Sequence, residues 1–368
     1  MLKRGMLRVL GAMSGTSLDG VDAAVLVTDG VDIESFGETA YRPYTEGERA
    51  VLRAALGAWP GDARTDAAAE VVETAHAHLL SGFDPVELVG FHGQTLAHDP
   101  GGRGTHQAGS GDVLATVLGW PVVWDFRSSD VKLGGQGAPL VPFYHHALAR
   151  HIGAEGPVAF LNIGGVANVT WTDPRIPAPQ HACVAFDCGP GNAAMDDLMQ
   201  TRFGQPHDKD GALAASGTPD AARLDTFARH PFFRRIPPKS LDRAAPVPDI
   251  TGLPDTDALA TLAAGVATGV SLAFEHFPEP PARLWVSGGG RHNQTLMRMI
   301  AAGCDCPVSP VEEAGLDGDM LEAQAFAWLA VRVARGLPTT CPRTTGVAAA
   351  VGGGILSQPQ NQSSETIP

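Results

Sequence analysis

Short apolar runs separated by glycine-rich polar turns dominate the chain, and their lengths predict an α/β fold. Leu7–Leu10 and Val21–Val27 bracket a turn dense in glycine, hydroxyls and acids, Gly11-Ala-Met-Ser-Gly-Thr-Ser-Leu-Asp-Gly-Val-Asp22. The second run is short, rich in β-formers and stopped by Asp29-Gly30, so it reads as a strand. Val31–Tyr44 predicts another strand region. Glu46–Leu56 and Ala67–Ser81 read as amphipathic helices on either side of Pro60-Gly61. Leu88–Phe91 reads as a strand ending in His92-Gly-Gln-Thr95. Val122–Phe126 reads as one ending in Arg127-Ser-Ser-Asp130, followed by the turn Gly134–Pro139. Between them, Ser110 is placed to cap a helix over Asp112–Leu118. Pro142–Ile152 reads as a crossing helix.

At Val158 the pattern restarts. Val158–Ile163, Gly164-Gly165 and Val166–Trp171 repeat the strand, glycine turn and strand of the opening, which predicts two duplicated halves with a nucleotide between them. Val184–Phe186 reads as a strand. Asp187-Cys-Gly-Pro-Gly-Asn192 follows, then a helix over Ala193–Met199 with Asn192 as its N-cap. An aspartate at a strand end beside a helix N-terminus can act as a base, hold a metal or simply form a turn. Leu259–Phe277 is a helix of small residues. Leu284–Ser287 is a strand, Gly288-Gly-Gly290 lets the backbone approach a flat ligand, and Gln294–Ala302 and Asp317–Arg335 are helices. Asp319 and Glu322 have capping-box spacing. Ser357–Pro368 is polar and reads as disordered.

Length and charge narrow the function. The chain has 368 residues, enough for two domains, and a formal net charge of −14, which disfavours a nucleic-acid partner. Met1–Arg8 is too short and polar for a signal peptide, and no apolar run reaches bilayer-spanning length. The cysteines, Cys183, Cys188, Cys304, Cys306 and Cys341, are odd in number and lack a C-x-x-C pair, which predicts free thiols in a reducing cytoplasm. No histidine pair has helical metal-ligand spacing. Lysine is scarce, and Lys132, Lys209 and Lys239 lie in motif-like loops.

The opening turn carries the chemistry. Ser14, Gly15, Thr16, Ser17 and Gly20 offer N–H groups and hydroxyls to an anion. Asp19 and Asp22 belong near phosphate only if a divalent cation stands between. Neither a Walker lysine nor a following helix is present, so this is neither a P-loop nor a Rossmann turn. A strand, phosphate turn and strand resemble the first phosphate loop of the actin/hexokinase/Hsp70 superfamily. Polar clusters at several strand ends predict a shared ligand cleft.

Five motifs, in order over essentially the whole chain, carry a closer resemblance. Met13–Asp22, His92–Thr95, Asn162-Ile-Gly-Gly-Val-Ala-Asn168, Asp187–Asn192 and Ser287-Gly-Gly-Gly-Arg-His-Asn293 resemble the anhydro-N-acetylmuramic acid kinases. The resemblance implies two ribonuclease-H-like, actin/hexokinase-type domains with an interdomain cleft. The expected domains are 1–135, rejoined by 346–368, and 136–345. It implies hydrolytic opening of the 1,6-anhydro ring of anhydro-N-acetylmuramic acid and transfer of the ATP γ-phosphoryl to O6, in peptidoglycan recycling, by a cytoplasmic homodimer.

On this resemblance Asp187 is the catalytic base. ATP is held by Gly15, Thr16, Ser17, Leu18, Asp19, Gly20, Val21 and Asp22, by Gly164, Gly165 and Asn168, and by Gly288, Gly289 and Gly290. Asp19 and Asp22 reach Mg²⁺ through water. His92, Gln94, Thr95, Gly189, Asn192 and Glu322 bind the sugar, and Arg127 takes its lactyl carboxylate. Two departures stand out. Many relatives read Pro-Pro-Lys-Ser-Thr-Gly-Arg-Glu where this chain has Pro237-Pro-Lys-Ser-Leu-Asp-Arg243, so the role of that loop stays open, and Cys188 stands where Thr is common. Two other readings compete: a kinase of the same fold for another amino sugar, and a non-catalytic ATP-binding module.

Overall fold

The computed structural model describes residues 4–241 and 245–360. The chain divides into two units: the segment up to His151 joined by the chain from Met320 onward, and Ile152–Asp319. These boundaries differ from the expected 135/136 and 345/346, because the helix after Met320 packs on the first sheet.

The first unit opens with a meander, β1 (Leu7–Ser14), β2 (Gly20–Thr28) and β3 (Ile33–Pro43). Helices α1 (Glu46–Ala55) and α2 (Ala63–Leu80) follow. Thr45 and Glu48 form a capping box on α1. Then come β4 (Leu88–Asp99), β5 (Gly104–Ala108), α3 (Gly111–Leu118), β6 (Val122–Trp124), α4 (Ser128–Lys132) and α5 (Pro142–His151). The second unit contains β7 (Val158–Ile163), β8 (Val166–Thr172), β9 (Cys183–Pro190), α6 (Ala193–Phe203), α7 (Pro231–Arg234), α8 (Asp255–Ala273), β10 (Leu284–Ser287), α9 (Gln294–Gly303) and β11 (Val308–Pro310). The chain returns to the first unit as α10 (Leu321–Ala334) and β12 (Ile355–Ser357).

The two sheets share one topology. In the first, β3-β2-β1 run antiparallel, and β4 and then β6 add in parallel on the other side of β1. In the second, β9-β8-β7 run antiparallel, and β10 and then β11 add in parallel beside β7. Each helical layer buries its apolar face on its own sheet. Trp328 and Phe326 of α10 are enclosed in the first unit, and Leu259, Ala263 and Val266 of α8 in the second. The stretch Asp255–His276 is, against expectation, long and apolar enough to cross a bilayer, but most of it is buried in the protein. Its length therefore reflects a two-sided core helix.

Three local expectations differ from the structure. β4 does not stop at Phe91 but continues to Asp99, because β5 pairs with its far half. Ser110 precedes α3 without a side-chain cap; its own N–H donates to Glu73 Oε1 at 2.9 Å instead. The capping box expected of Asp319 and Glu322 does not form, since α10 starts at Leu321 with Met320 as its N-cap. Of the expected disordered stretch Ser357–Pro368, residues 361–368 lie outside the described residues, and Ser357 is buried in β12.

Candidate active site

In the first unit, the β1–β2 register brings Met13 opposite Asp22, so the intervening residues form a tight loop. Leu18 N–H closes it on the Gly15 carbonyl at 3.2 Å. Leu18 sits at φ 61°, costly for a branched residue, with its side chain buried. That turn leaves Thr16, Ser17 and Asp19 facing solvent. Leu18 and Val21 point into the core, so they can offer a ligand only backbone groups. Gly20 is required where it stands: a Cβ there would lie 2.4 Å from the Arg42 carbonyl.

The loop is braced from β4. Ser14 Oγ donates to Gln94 Oε1 at 2.5 Å and lies 2.9 Å from the Tyr44 hydroxyl, while Gln94 Nε2 donates to the Gly15 carbonyl at 3.1 Å. Burial pushes the Tyr44 phenol up to about 12, so it stays protonated. Gln94, expected at the sugar, is fully buried with its amide committed to this bracing. Asp19 and Asp22 both act on the Tyr41 phenol, which burial and these two carboxylates push upward. Two carboxylates acting on one phenol at this turn are a donor set that would fit Mg²⁺, which keeps several waters and binds through one or two acids. No cluster of three or more metal-ligating side chains occurs among the described residues.

Further along β4, His92 is buried, and its Nδ1 lies 2.8 Å from the Gly93 carbonyl. Nδ1 therefore carries the proton, and Nε2 accepts from Arg127 Nε at 3.0 Å. Burial and the Arg127 charge hold the imidazole well below its usual range, so it is neutral. Arg127 Nη1 donates to the Gly137 carbonyl at 2.7 Å. Desolvation lowers this guanidinium to about 10, still charged at neutral pH, and Nη2 has no protein acceptor among the described residues. Asp130 supports the arrangement. It accepts Gly137 N–H at 2.7 Å and the hydroxyls of Thr340 and Thr345 at 2.6 Å each. Glu322, at the start of α10, is solvent-accessible; desolvation raises its carboxyl and Arg127 opposes the rise. Thr95 is half-buried and accepts from Gln107 Nε2 at 3.2 Å.

In the second unit, the β7–β8 turn is tied to the end of β9. Asn192 N–H donates to the Gly164 carbonyl at 2.7 Å and Gly191 N–H to that of Gly165 at 3.1 Å. Asn192 does not cap α6 with its side chain; Nδ2 donates instead to the Ile163 carbonyl at 3.3 Å. Gly288 (φ 74°) and Gly290 lie against the end of β7, where Cβ atoms would come within 2.3 Å of Asn162 Oδ1 and 2.4 Å of Ile163 Cγ2. Gly289 between them is exposed. Buried Arg291 anchors this triplet. Nη1 donates to the Gly288 carbonyl at 3.0 Å, while Nε and Nη2 pair with Glu312 and Asp319, each at 2.8 Å. Gly164, Gly165, Asn192 and Gly288–Gly290 thus converge at the C-terminal ends of β7 and β10.

Asp187 lies on β9 opposite Asn168. Its N–H donates to the Lys239 carbonyl at 3.0 Å, and Oδ2 accepts Leu241 N–H at 2.7 Å. Desolvation raises the carboxyl to about 6, against the Leu241 bond that favours the ion. Cys188 Sγ donates to the Ala167 carbonyl at 3.3 Å, so the Thr-to-Cys departure leaves the backbone bonds of Asp187 in place. Gly189, expected at the sugar, is buried; a Cβ there would lie 3.4 Å from Gly269 Cα. Sequence reasoning assigned no role to Tyr44, Asp130 or Arg291, although Asp130 closes a polar strand end and Arg291 directly follows a glycine triplet.

One strand order, repeated with the same parallel and antiparallel senses and opened each time by a glycine-turned hairpin, is the duplicated unit of the actin/hexokinase class, and the protein has that fold. Residues 7–358 match the family described as anhydro-N-acetylmuramic acid kinase. A protein of that name from Cereibacter sphaeroides is 63% identical over 365 residues, covering 98% of each chain. Another, from Ruegeria sp. (strain TM1040), is 57% identical over 97% of this chain and 96% of its own. Among solved structures, a ROK family glucokinase from Streptomyces griseus aligns over 89% of this chain and 99% of its own, at 15% identity and a TM-score of 0.41. The chain belongs to the anhydro-N-acetylmuramic acid kinase family, and is thereby an ATP-dependent sugar kinase.

Proposed function

We propose that the protein couples two steps on one sugar in peptidoglycan recycling. Water adds to the anomeric carbon of anhydro-N-acetylmuramic acid as the C1–O6 bond breaks. The freed O6 then bonds to the γ-phosphorus of ATP as the β,γ-bridging P–O bond breaks, giving N-acetylmuramate 6-phosphate and ADP. The observation that carries this reading is the state of Asp187. Its Oδ2 is held by Leu241 N–H, its Oδ1 has no protein donor among the described residues, and its pKa is about 6. Such a carboxylate is ionised at neutral pH yet basic enough to take the proton of the attacking water.

The remaining side chains bind and orient. Arg127 offers Nη2 to the lactyl carboxylate, with neutral His92 fixing its plane. Glu322, Thr95 and Asn192 are assigned to the sugar. Gly15–Asp22, Gly164, Gly165, Asn168 and Gly288–Gly290 are assigned to ATP, with Gln94 and Arg291 stiffening the loops. Asp19 and Asp22 would hold Mg²⁺ through water, and bound there it would offset phosphate charge that an overall acidic protein otherwise opposes. A cytoplasmic homodimer completes the proposal. It rests on the family resemblance and, for the compartment, on an odd number of cysteines without a C-x-x-C pair in the sequence.

The deciding experiment is ADP release from Mg-ATP with and without the anhydro sugar, in ¹⁸O-labelled water with mass analysis of the product. Sugar-dependent ADP with label on the anomeric oxygen is expected. Sugar-dependent ADP without label would point to a same-fold kinase that opens no bridge. ATP binding with no turnover on a panel of amino sugars would point to a binding module.

The pH dependence follows from the same carboxylate. Protonated Asp187 cannot accept a proton, so kcat/KM should fall about tenfold per pH unit below about 6 and level off above it. A profile flat from pH 5 to 7 would remove Asp187 as the base.

A further inference from the structure

Lys239 has no role in the chemistry above, yet its placement is specific. It is only 6% exposed, whereas Lys132 and Lys209 face solvent. Its Nζ donates to the carbonyls of Phe232 at 3.3 Å and Phe233 at 3.1 Å, at the end of α7, and lies 3.0 Å from His276 Nε2 just beyond α8. His276 Nε2 also lies 2.9 Å from the Phe233 carbonyl, which can only accept, so the ring nitrogen and the ammonium meet at that one oxygen. The ammonium also stands over the rings of Phe232 at 4.8 Å and Phe186 at 5.3 Å. It therefore stitches α7 and the end of α8 to the segment that carries it.

That segment runs along β9, the edge strand of its sheet. Both backbone bonds to Asp187 come from it: the Lys239 carbonyl takes the Asp187 N–H, and the Leu241 N–H takes Asp187 Oδ2. Nζ makes no hydrogen bond to the Asp187 carboxylate. Without its cation, a Pro-Pro-Lys-Ser loop on a sheet edge has few reasons to keep this register. Resting on the assignment of Asp187 as base, we infer that Lys239 is a positioning residue, whose ammonium locks the Pro237–Leu241 loop so that Leu241 N–H fixes one oxygen of Asp187 and leaves the other for water.

Lys239→Met tests this, because it keeps the length of the side chain and removes the charge and its bonds. The expected result is a kcat lowered by about 10- to 100-fold, the scale of a misplaced catalytic group, with KM for ATP within about twofold. The acid limb of kcat/KM should also move to higher pH, since losing the Leu241 bond removes what favours ionised Asp187. The groups acting on Lys239 are Cys188, Arg235 and Glu275, with His276 in contact, and Cys188 also neighbours Asp187. None of them is altered by a second variant, Leu241→Pro, which deletes the N–H without touching any charge and should move the limb in the same direction.

A merely structural lysine would lower stability and leave the limb in place, which overturns the inference. A Leu241→Pro enzyme with the parent limb overturns it too, and decides alone if Lys239→Met does not fold. Asp187→Asn, run in parallel, separates the two levels. Parent-like turnover in that variant overturns the base assignment and the inference with it, whereas an inactive Asp187→Asn beside a parent-like Lys239→Met overturns only the role of the lysine.

Discussion

Asp187→Asn should lose about three orders of magnitude in kcat, within the range a positioned general base contributes. ADP release and sugar phosphorylation should vanish together, because in the proposed mechanism O6 is not free to attack phosphorus until the bridge has opened. The variant should remain folded. An amide oxygen can still accept Leu241 N–H, and the edge pairing through the Lys239 carbonyl uses only backbone. Its stability should be unchanged or higher. The carboxyl of Asp187 is raised to about 6 by desolvation, so above that pH the native state carries an ion that its surroundings disfavour. Removing the ion removes that cost, and the gain should fade as pH falls through 6, where the parent carboxyl is itself neutral. ADP assays and thermal melts at pH 5 and pH 8 check both halves. Near-parental turnover at pH 8 would refute the role of Asp187. A large loss of thermal stability there would mean the carboxylate is structural.

How much of this was legible in the sequence varied by element, for physical reasons. The hairpins Leu7–Thr28 and Val158–Thr172 were readable because apolar runs of strand length flank turns where glycine and short polar residues leave little alternative to a tight reversal. Their repetition exposed the duplication. The far half of β4 was not readable. His92, Gln94 and Thr95 look like a polar strand end, and only the pairing with β5 shows them inside a sheet. Gln94 illustrates the limit further. Its partner Ser14 lies eighty positions away, so nothing local signals that its amide braces a loop. Capping patterns misled for a similar reason. Asp319 has the spacing to cap α10, but Arg291 takes its carboxylate, and Asn192 precedes α6, but the Ile163 carbonyl takes its amide. In each case a distant partner outcompeted the local one.

Gly90→Val should severely disrupt folding although it lies away from the candidate site. Gly11 of β1 and Gly90 of β4 lie side by side in the first sheet, directly under α10. A Cβ at Gly90 would lie 2.1 Å from the Phe326 carbonyl oxygen, and one at Gly11 1.8 Å from that of Ala323. Both obstacles are helix backbone, so no rotamer change relieves them; α10 itself must lift. Lifting it breaks the enclosure of Phe326 and Trp328 and the bond from Tyr144 to Gln324, and it displaces Glu322 from beside Arg127. Overpacking that side chains can absorb costs about 1–3 kcal/mol. Here backbone must move across a whole helix, and the total should approach the ~5–15 kcal/mol that holds a domain folded. Gly90→Val should therefore be insoluble, and Gly90→Ala should lose more than about 2 kcal/mol in urea denaturation followed by circular dichroism. Gly101→Ala is the matched control: nothing lies within 4 Å of a Cβ there and its φ is ordinary, so its stability should stay within about 0.5 kcal/mol of the parent. A Gly90→Ala protein as stable as that control would mean that α10 does not sit against the central strands as closely as the structure places it. The position that brings Glu322 beside Arg127 would then lose its support.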